Sequence, residues 1–183
     1  MRILFLGDVV GISGCSKLTS SLLSEIKSKK IDFVIANGEN AAAQGVGLTE
    51  EICKDFYNCG VNVITTGNHV WDQKEIMKYI EKEERLLRPK NLFEPAPGRG
   101  FKIFKTDKNI RVGVLNLMGN VFMKKCDDVF ETSKKFLSEY KLKDDYDLLV
   151  VDFHGEITSE KNAIGHFFDG KATLVVGTHT HIP

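Results

Sequence analysis

Apolar residues along the chain gather in short blocks that end at polar loops, and the blocks alternate with segments of helical spacing. Arg2 to Leu6 is one such block, stopping at Gly7-Asp8 as a buried parallel strand stops. After a turn over Gly11 to Gly14, Leu18, Leu22, Leu23 and Ile26 recur at helical spacing. Lys27, Lys29 and Lys30 then fall where cations favour a helix C-terminus. Phe33 to Ala36 reads as a second strand, followed by a loop rich in glycine and alanine from Asn37 to Gly47. Thr49 is placed to cap the next helix, ahead of Glu50 and Glu51 and of Ile52 and Phe56 on one face. Val61 to Thr65 is a β-branched third strand, and Asp72 is the expected cap of a helix carrying Ile76, Met77 and Ile80.

The rhythm loosens over residues 86–100, where Pro89, Pro95, Pro97, Gly98 and Gly100 give loop composition. Phe101 to Phe104 and Arg111 to Leu117 flank a Thr-Asp-Lys-Asn turn and predict a β-hairpin at a sheet edge. Helical spacing returns in 127–142 through Val129, Phe136, Leu137 and Leu142. Leu148 to Val151 and Leu174 to Val176 are two further strands, separated by a polar segment from Asp152 to Gly170. Such alternation predicts an α/β domain with helices covering the sheet, its strand order left open. Asp8, Glu39, Asn68, His154 and His179 all stand just after strands, where ligands of layered α/β folds bind.

Composition narrows the class. The 183 residues, 42% hydrophobic and 27% charged, are expected to form one domain over 1–183 with a sizeable core. Lys plus Arg and Asp plus Glu each total 25, so no broad basic field exists to grasp a nucleic-acid backbone. Cys15, Cys53, Cys59 and Cys126 lack CxxC spacing and read as reduced packing thiols. No run approaches the roughly 20 apolar residues of a membrane span, and MRILFLGD is too short in its apolar part for a signal peptide. A cytoplasmic protein with no membrane partner is expected. The sequence stops at His181-Ile182-Pro183, directly after its densest polar motif, which suggests a domain lacking its C-terminal portion.

The strand-end residues carry the chemistry. Asp8 beside glycines suits a turn or helix cap as well as a ligand, and Glu39-Asn40 in NGEN suits a loop network as well as a site. Asn68-His69 in TGNH repeats the pattern. In THTH, His179 and His181 are two apart, so an extended backbone projects both imidazoles to one side, and His154 follows another strand in DFHGE. Asp8, Glu39, Asn40, Asn68, His154, His179 and His181 are thus seven groups able to divide between two cations, with Glu39 as the shared carboxylate. Carboxylate, amide and imidazole donors suit iron or manganese, with zinc a further candidate and magnesium less suited to three histidines.

GDVVG at 7–11, NGEN at 37–40, TGNH at 66–69, DFHGE at 152–156 and GTHTH at 177–181 resemble the calcineurin-like metallophosphoesterases, and more closely their YmdB-like bacterial branch. The resemblance runs through essentially the whole chain. It implies a layered β-sandwich flanked by helices and a dinuclear centre of divalent or mixed-valence ions. It also implies hydrolysis of 2′,3′-cyclic nucleotides or related phosphodiesters, and homo-oligomers when full length. Carried over residue by residue, Asp8 matches the first-motif ligand, Glu39 the acidic bridge, Asn68 the ligand before the catalytic-type His69, and His154 the isolated histidine ligand. His179 and His181 match the terminal pair on different metals. Two departures stand out: Val10 occupies the position where the wider family has histidine, and the bridge is glutamate rather than aspartate. Asn40 is the substitute ligand.

Two cations would acidify a bridging water, whose hydroxide is the expected in-line nucleophile on phosphorus. No G-x-x-x-x-G-K-[ST] loop points to triphosphate hydrolysis. His69 either donates a proton to the leaving ribose oxygen or binds a phosphate oxygen; the alternative is a purely supporting hydrogen bond to a carboxylate. Asp72, Asp152 and Glu156 are supporting groups without a role fixed by sequence. Neither Phe122 nor Trp71 is singled out to hold a base, and an RNA terminus remains an alternative substrate. The competing function is a non-catalytic regulatory protein whose metal stabilises a docking surface.

Overall fold

The computed structural model describes residues 1–93 and 95–182. In chain order the elements are β1 (Ile3–Leu6), α1 (Gly11–Lys29), β2 (Phe33–Asn37), α2 (Glu50–Asn58), β3 (Val63–Thr65) and α3 (Ile76–Lys82). There follow β4 (Phe101–Lys105), β5 (Arg111–Met118), α4 (Val129–Glu139), β6 (Leu148–His154), α5 (Thr158–Phe167) and β7 (Leu174–Thr178). The first three strands form a parallel sheet in the order β1-β2-β3, and the rest form a second sheet in the order β4-β5-β6-β7. Among the described residues only the hairpin strand β4 runs antiparallel, at the edge of its sheet, as its alternating sequence predicts.

Side-chain alternation explains the layering. Phe33 and Ile35 of β2, Val63 of β3, Val112 and Val114 of β5 and Val150 of β6 share one buried cluster between the sheets. Their neighbours Val34, Ala36 and Ile64 point outward to Leu18, Leu22 and Phe56 of the first helices. On the far side, Leu115, Leu117, Leu149 and Val151 meet Phe136 of α4 and Ile164 of α5. The result is helix, sheet, sheet, helix, with β2, β3, β5 and β6 buried on both faces because both are covered.

The same alternation places the polar end of the molecule. Continuing the inter-sheet rows by two residues reaches Asn37 of β2, Thr65 of β3, Asn116 of β5 and Asp152 of β6, all buried. Parallel register aligns Asn37 with Thr65, Asn116 with Asp152, and His154 with Thr178. A hydrophobic interlayer therefore turns polar at one level in both sheets, at their C-terminal ends.

Three local expectations change. Residues 11–14 are the first turn of α1 rather than a free turn, and a Cβ at Gly14 would crowd the Val9 side chain. Asp72 does not cap α3, whose N-cap position is Glu75. The polar segment 152–170 contains α5, whose buried contacts are confined to Glu160 and Ile164. Thr49 does cap α2, accepting the Ile52 N–H at 3.2 Å. The four cysteines are free thiols, and no helix among the described residues is long and apolar enough to cross a membrane.

Candidate metal centre

The loop ends that follow the strands are tied together before any side chain is considered. Val9 N–H donates to the Asn37 carbonyl at 2.9 Å, Gly11 N–H to the Asn40 carbonyl at 2.8 Å, and Gly38 N–H to the Thr65 carbonyl at 2.9 Å. These bonds hold the Asp8 loop against the NGEN loop, and the NGEN loop against the TGNH segment.

His154, the last residue of β6, lies fully buried at the middle. Its Nε2 is 2.8 Å from Glu39 Oε1, 3.0 Å from Asn68 Oδ1 and 3.1 Å from His179 Nδ1. Its Nδ1 lies 2.9 Å from Thr178 Oγ1. Thr178 has one hydroxyl proton, directed to Asp152 Oδ1 at 2.7 Å, so it accepts from His154, and Nδ1 carries the proton. Asp152 also accepts from Thr65 Oγ1 and from Asn37 Nδ2, the latter at 3.0 Å. The buried relay Asp152, Thr178, His154 thereby fixes the ring and aims the Nε2 lone pair at Glu39.

Asn68 Oδ1, Glu39 Oε1 and His179 Nδ1 thus converge with His154 Nε2, more acceptors than a single N–H can serve. Glu39, His154 and His179 each offer an atom within 4.8 Å of the others. Ligands of a cation with bonds of about 2.1 Å stand roughly 3.0–3.4 Å apart, close to the separations seen. The donor set and its spacing fit a cation. In its absence a proton on His154 serves the same end: burial alone disfavours the imidazolium, but the hydrogen bond and charge of Glu39 outweigh it and raise the pKa. Burial likewise opposes charge on Glu39, yet His154 and the His69 N–H hold its carboxyl below the usual value. Burial and the neighbouring His154 lower the pKa of His179. The Nε2 of His179 is held by Glu156 at 2.9 Å, which turns Nδ1 toward the centre.

A second group lies beside the first. His181 Nε2 is 3.4 Å from Asn40 Oδ1 and 3.7 Å from Asp8 Oδ1, while the His179 N–H donates to Asp8 Oδ2 at 3.0 Å. Asn40 donates Nδ2 to the Gly45 carbonyl at 3.0 Å, leaving its oxygen toward His181. A cleft of about 930 Å³ opens beside Asp8 and His181, between α1 and the exposed edges of β1 and β7. The fold thus brings all seven sequence-selected groups to one end of the sandwich. The two terminal histidines reach it differently from the extended backbone expected: His179 has φ +95° and His181 φ +54°, so the chain curls rather than runs straight.

His69 stands at the rim. Its N–H donates to Glu39 Oε2 at 3.1 Å, and its Nδ1 is 2.6 Å from Asp72 Oδ2. Asp72 Oδ1 is in turn 3.3 Å from Lys124 Nζ. Trp71 packs against the core of the first sheet.

Several participants were not marked by sequence. Thr65 read as a strand residue, and Asn37 and Thr178 as members of the NGEN and GTHTH loops with no role of their own; what they do emerges only from pairing between strands. Gly67 is required for a steric reason: a Cβ there would overlap both His154 and Glu39. Its place inside TGNH was the available signal.

The sequence profile of the family described as "YmdB-like protein" matches residues 4–183. A Bacillus subtilis (strain 168) protein named 2′,3′-cyclic-nucleotide 2′-phosphodiesterase is 43% identical over 183 residues, covering 100% of this chain and 67% of the relative. The crystal structure of a hypothetical protein from Thermus thermophilus superposes with a TM-score of 0.91 at 38% identity, over 100% of this chain and 69% of that one. The crystal structure of a phosphatase from Mycoplasma pneumoniae gives 0.90 at 36% identity, over 100% and 65%. The chain spans about two thirds of the length of the proteins it matches.

Proposed function

The chain belongs to the YmdB-like branch of the calcineurin-like metallophosphoesterases, and from that footing we propose that it holds two cations and hydrolyses phosphodiesters, with 2′,3′-cyclic nucleotides as substrates. The observation that carries this reading is the convergence of Glu39, Asn68 and His179 on His154 Nε2. Glu39, Asn68, His154 and His179 would hold one ion; Asp8, Asn40 and His181, sharing Glu39, would hold the other. Mixed carboxylate, amide and imidazole donors favour iron or manganese.

Bound there, the ions supply Lewis acidity toward the phosphate oxygens and make water a nucleophile near neutral pH. The chain's own groups do the rest. Glu39 and Asp8 balance the local charge, and the relay from Asp152 keeps His154 from rotating. His69 is held through Nδ1 by Asp72, so Nε2 is its free ring atom and donates a proton to the leaving ribose oxygen. Ring opening then leaves a nucleoside monophosphate.

The test uses full-length protein loaded with manganese or iron and assayed on 2′,3′-cyclic AMP, with metal content followed by elemental analysis. Turnover should track occupancy. Full turnover by verified metal-free protein would overturn the reading.

A further inference from the structure

The loop between β5 and α4, residues 119–128, is anchored at both ends, its start directly onto the backbone of His154. At its start, Gly119 N–H donates to the His154 carbonyl at 2.9 Å, and Asn120 N–H to Glu160 Oε1 at 2.9 Å. At its end, Asp127 N–H donates to the Asn91 carbonyl at 2.8 Å, and Asn91 Nδ2 returns to the Asp127 carbonyl at 3.0 Å. Asn120 Oδ1 closes the loop by accepting the Val129 N–H at 2.9 Å. Midway, Lys124 reaches the Asp72 carboxylate that holds His69.

Between these anchors lies Phe122. The residue is 85% exposed, more than any other large apolar residue described, and its backbone has φ +59°. A bulky residue rarely adopts that conformation and persists in it only where its surroundings impose it. An aromatic ring held in water on a pinned loop forgoes its burial energy. The other exposed aromatic nearby, Phe93, has Lys125 lying 5.9 Å over its ring, whereas no such partner covers Phe122 among the described residues.

We propose that Phe122 is the stacking platform for the nucleobase of the phosphodiester bound at the metal centre. The inference rests on the phosphodiesterase reading and deepens it. The loop leaves the centre at Gly119, bonded to His154, and Lys124, two residues beyond Phe122, ties it to the Asp72 carboxylate that holds His69. On this proposal Phe122, lying between these two ties, stands at the rim. A lone ring offers a π-face and no hydrogen-bond readout, so it demands a base without choosing among them. Substrates are therefore nucleoside cyclic phosphates as a class, recognised with little preference for adenine, guanine, cytosine or uracil.

The experiment compares 2′,3′-cyclic AMP with the base-less 1-O-methylribose 2,3-cyclic phosphate on metal-loaded full-length protein. The ratio of KM for the base-less compound to KM for the nucleotide should fall roughly tenfold in Phe122→Ala and be kept in Phe122→Trp. In parallel, the base protons of adenosine 3′-monophosphate should shift upfield on binding, and Phe122→Ala should abolish that shift. An unchanged KM ratio with an unchanged shift overturns the proposal. If the wild type hydrolyses neither compound, the phosphodiesterase reading fails, and the presence or loss of the shift still decides whether Phe122 stacks on a base.

Discussion

The ring of His154 and a methyl group on Gly67 would occupy the same space. The TGNH segment passes so close to β6 that only a hydrogen fits at residue 67, and the same hypothetical Cβ strikes Glu39. Gly67→Ala should therefore displace both groups, weakening metal binding by about 10- to 100-fold while the far ends of the sheets stay folded. Titration with manganese, read alongside circular dichroism, checks this. Wild-type affinity in the variant would show that the backbone can retreat.

Asp152 gives a pH signature in the metal-free protein. Burial pushes its carboxyl from 3.8 up to about 6, partly offset by His154 and by three hydrogen-bond donors. A raised folded-state value means the protonated form is favoured on folding. The associated stability is fully present below about pH 4 and is lost as pH rises through 6. About 2–3 kcal/mol is at stake for a shift of this size. Asp152→Asn removes the titration, so urea unfolding at pH 4, 5, 6 and 7 should show a flatter dependence than wild type. Equal slopes would count against a titrating Asp152.

Metal and proton compete at His154. Glu39 outweighs burial and raises the imidazole pKa, and the nitrogen facing Glu39 is the one a cation needs. Metal uptake should release a proton below that raised pKa, with affinity falling about tenfold per pH unit there. Calorimetry in buffers of different ionisation enthalpy measures the protons released. Binding with no linked proton would exclude His154 as a ligand.

His69 and Asp72 should separate chemistry from metal binding. His69→Gln should lower kcat by about 100-fold or more, and Asp72→Asn by a smaller factor, with both proteins retaining their metal. Asp72 acts by holding Nδ1, so its replacement should also move the pH profile of kcat. Unchanged kcat in a fully loaded His69→Gln protein would reduce this residue to a supporting hydrogen bond on Glu39.

Much of the site is written locally. Asp8, Glu39, Asn68, His154 and His179 interrupt or end apolar runs, and a polar residue that stops a buried strand is visible without knowing the strand's neighbours. What supports them is not local. Thr178 matters because register sets it beside His154 and its hydroxyl serves Asp152, a relation across β6 and β7 with no trace in either segment alone. The helix α5 was obscured because few of its residues are buried, leaving little apolar period to read. The expectation of an extended THTH strand failed because alternation holds only while φ stays negative, and the chain turns left-handed at His179. Asp72 looked like a helix cap because capping is the commonest use of an aspartate before a helix; here the ring of His69 takes the carboxylate instead.

Asp8, Glu39 and Asn68 hang from the first sheet, while His154, His179 and His181 hang from the second. An ion gripped by members of both sets is a rivet through the laminate. It would reinforce the ties that Asn37 and Thr65 already make to Asp152 at the end where no greasy filling holds the layers, so that mechanical cohesion and chemical competence share one fastening.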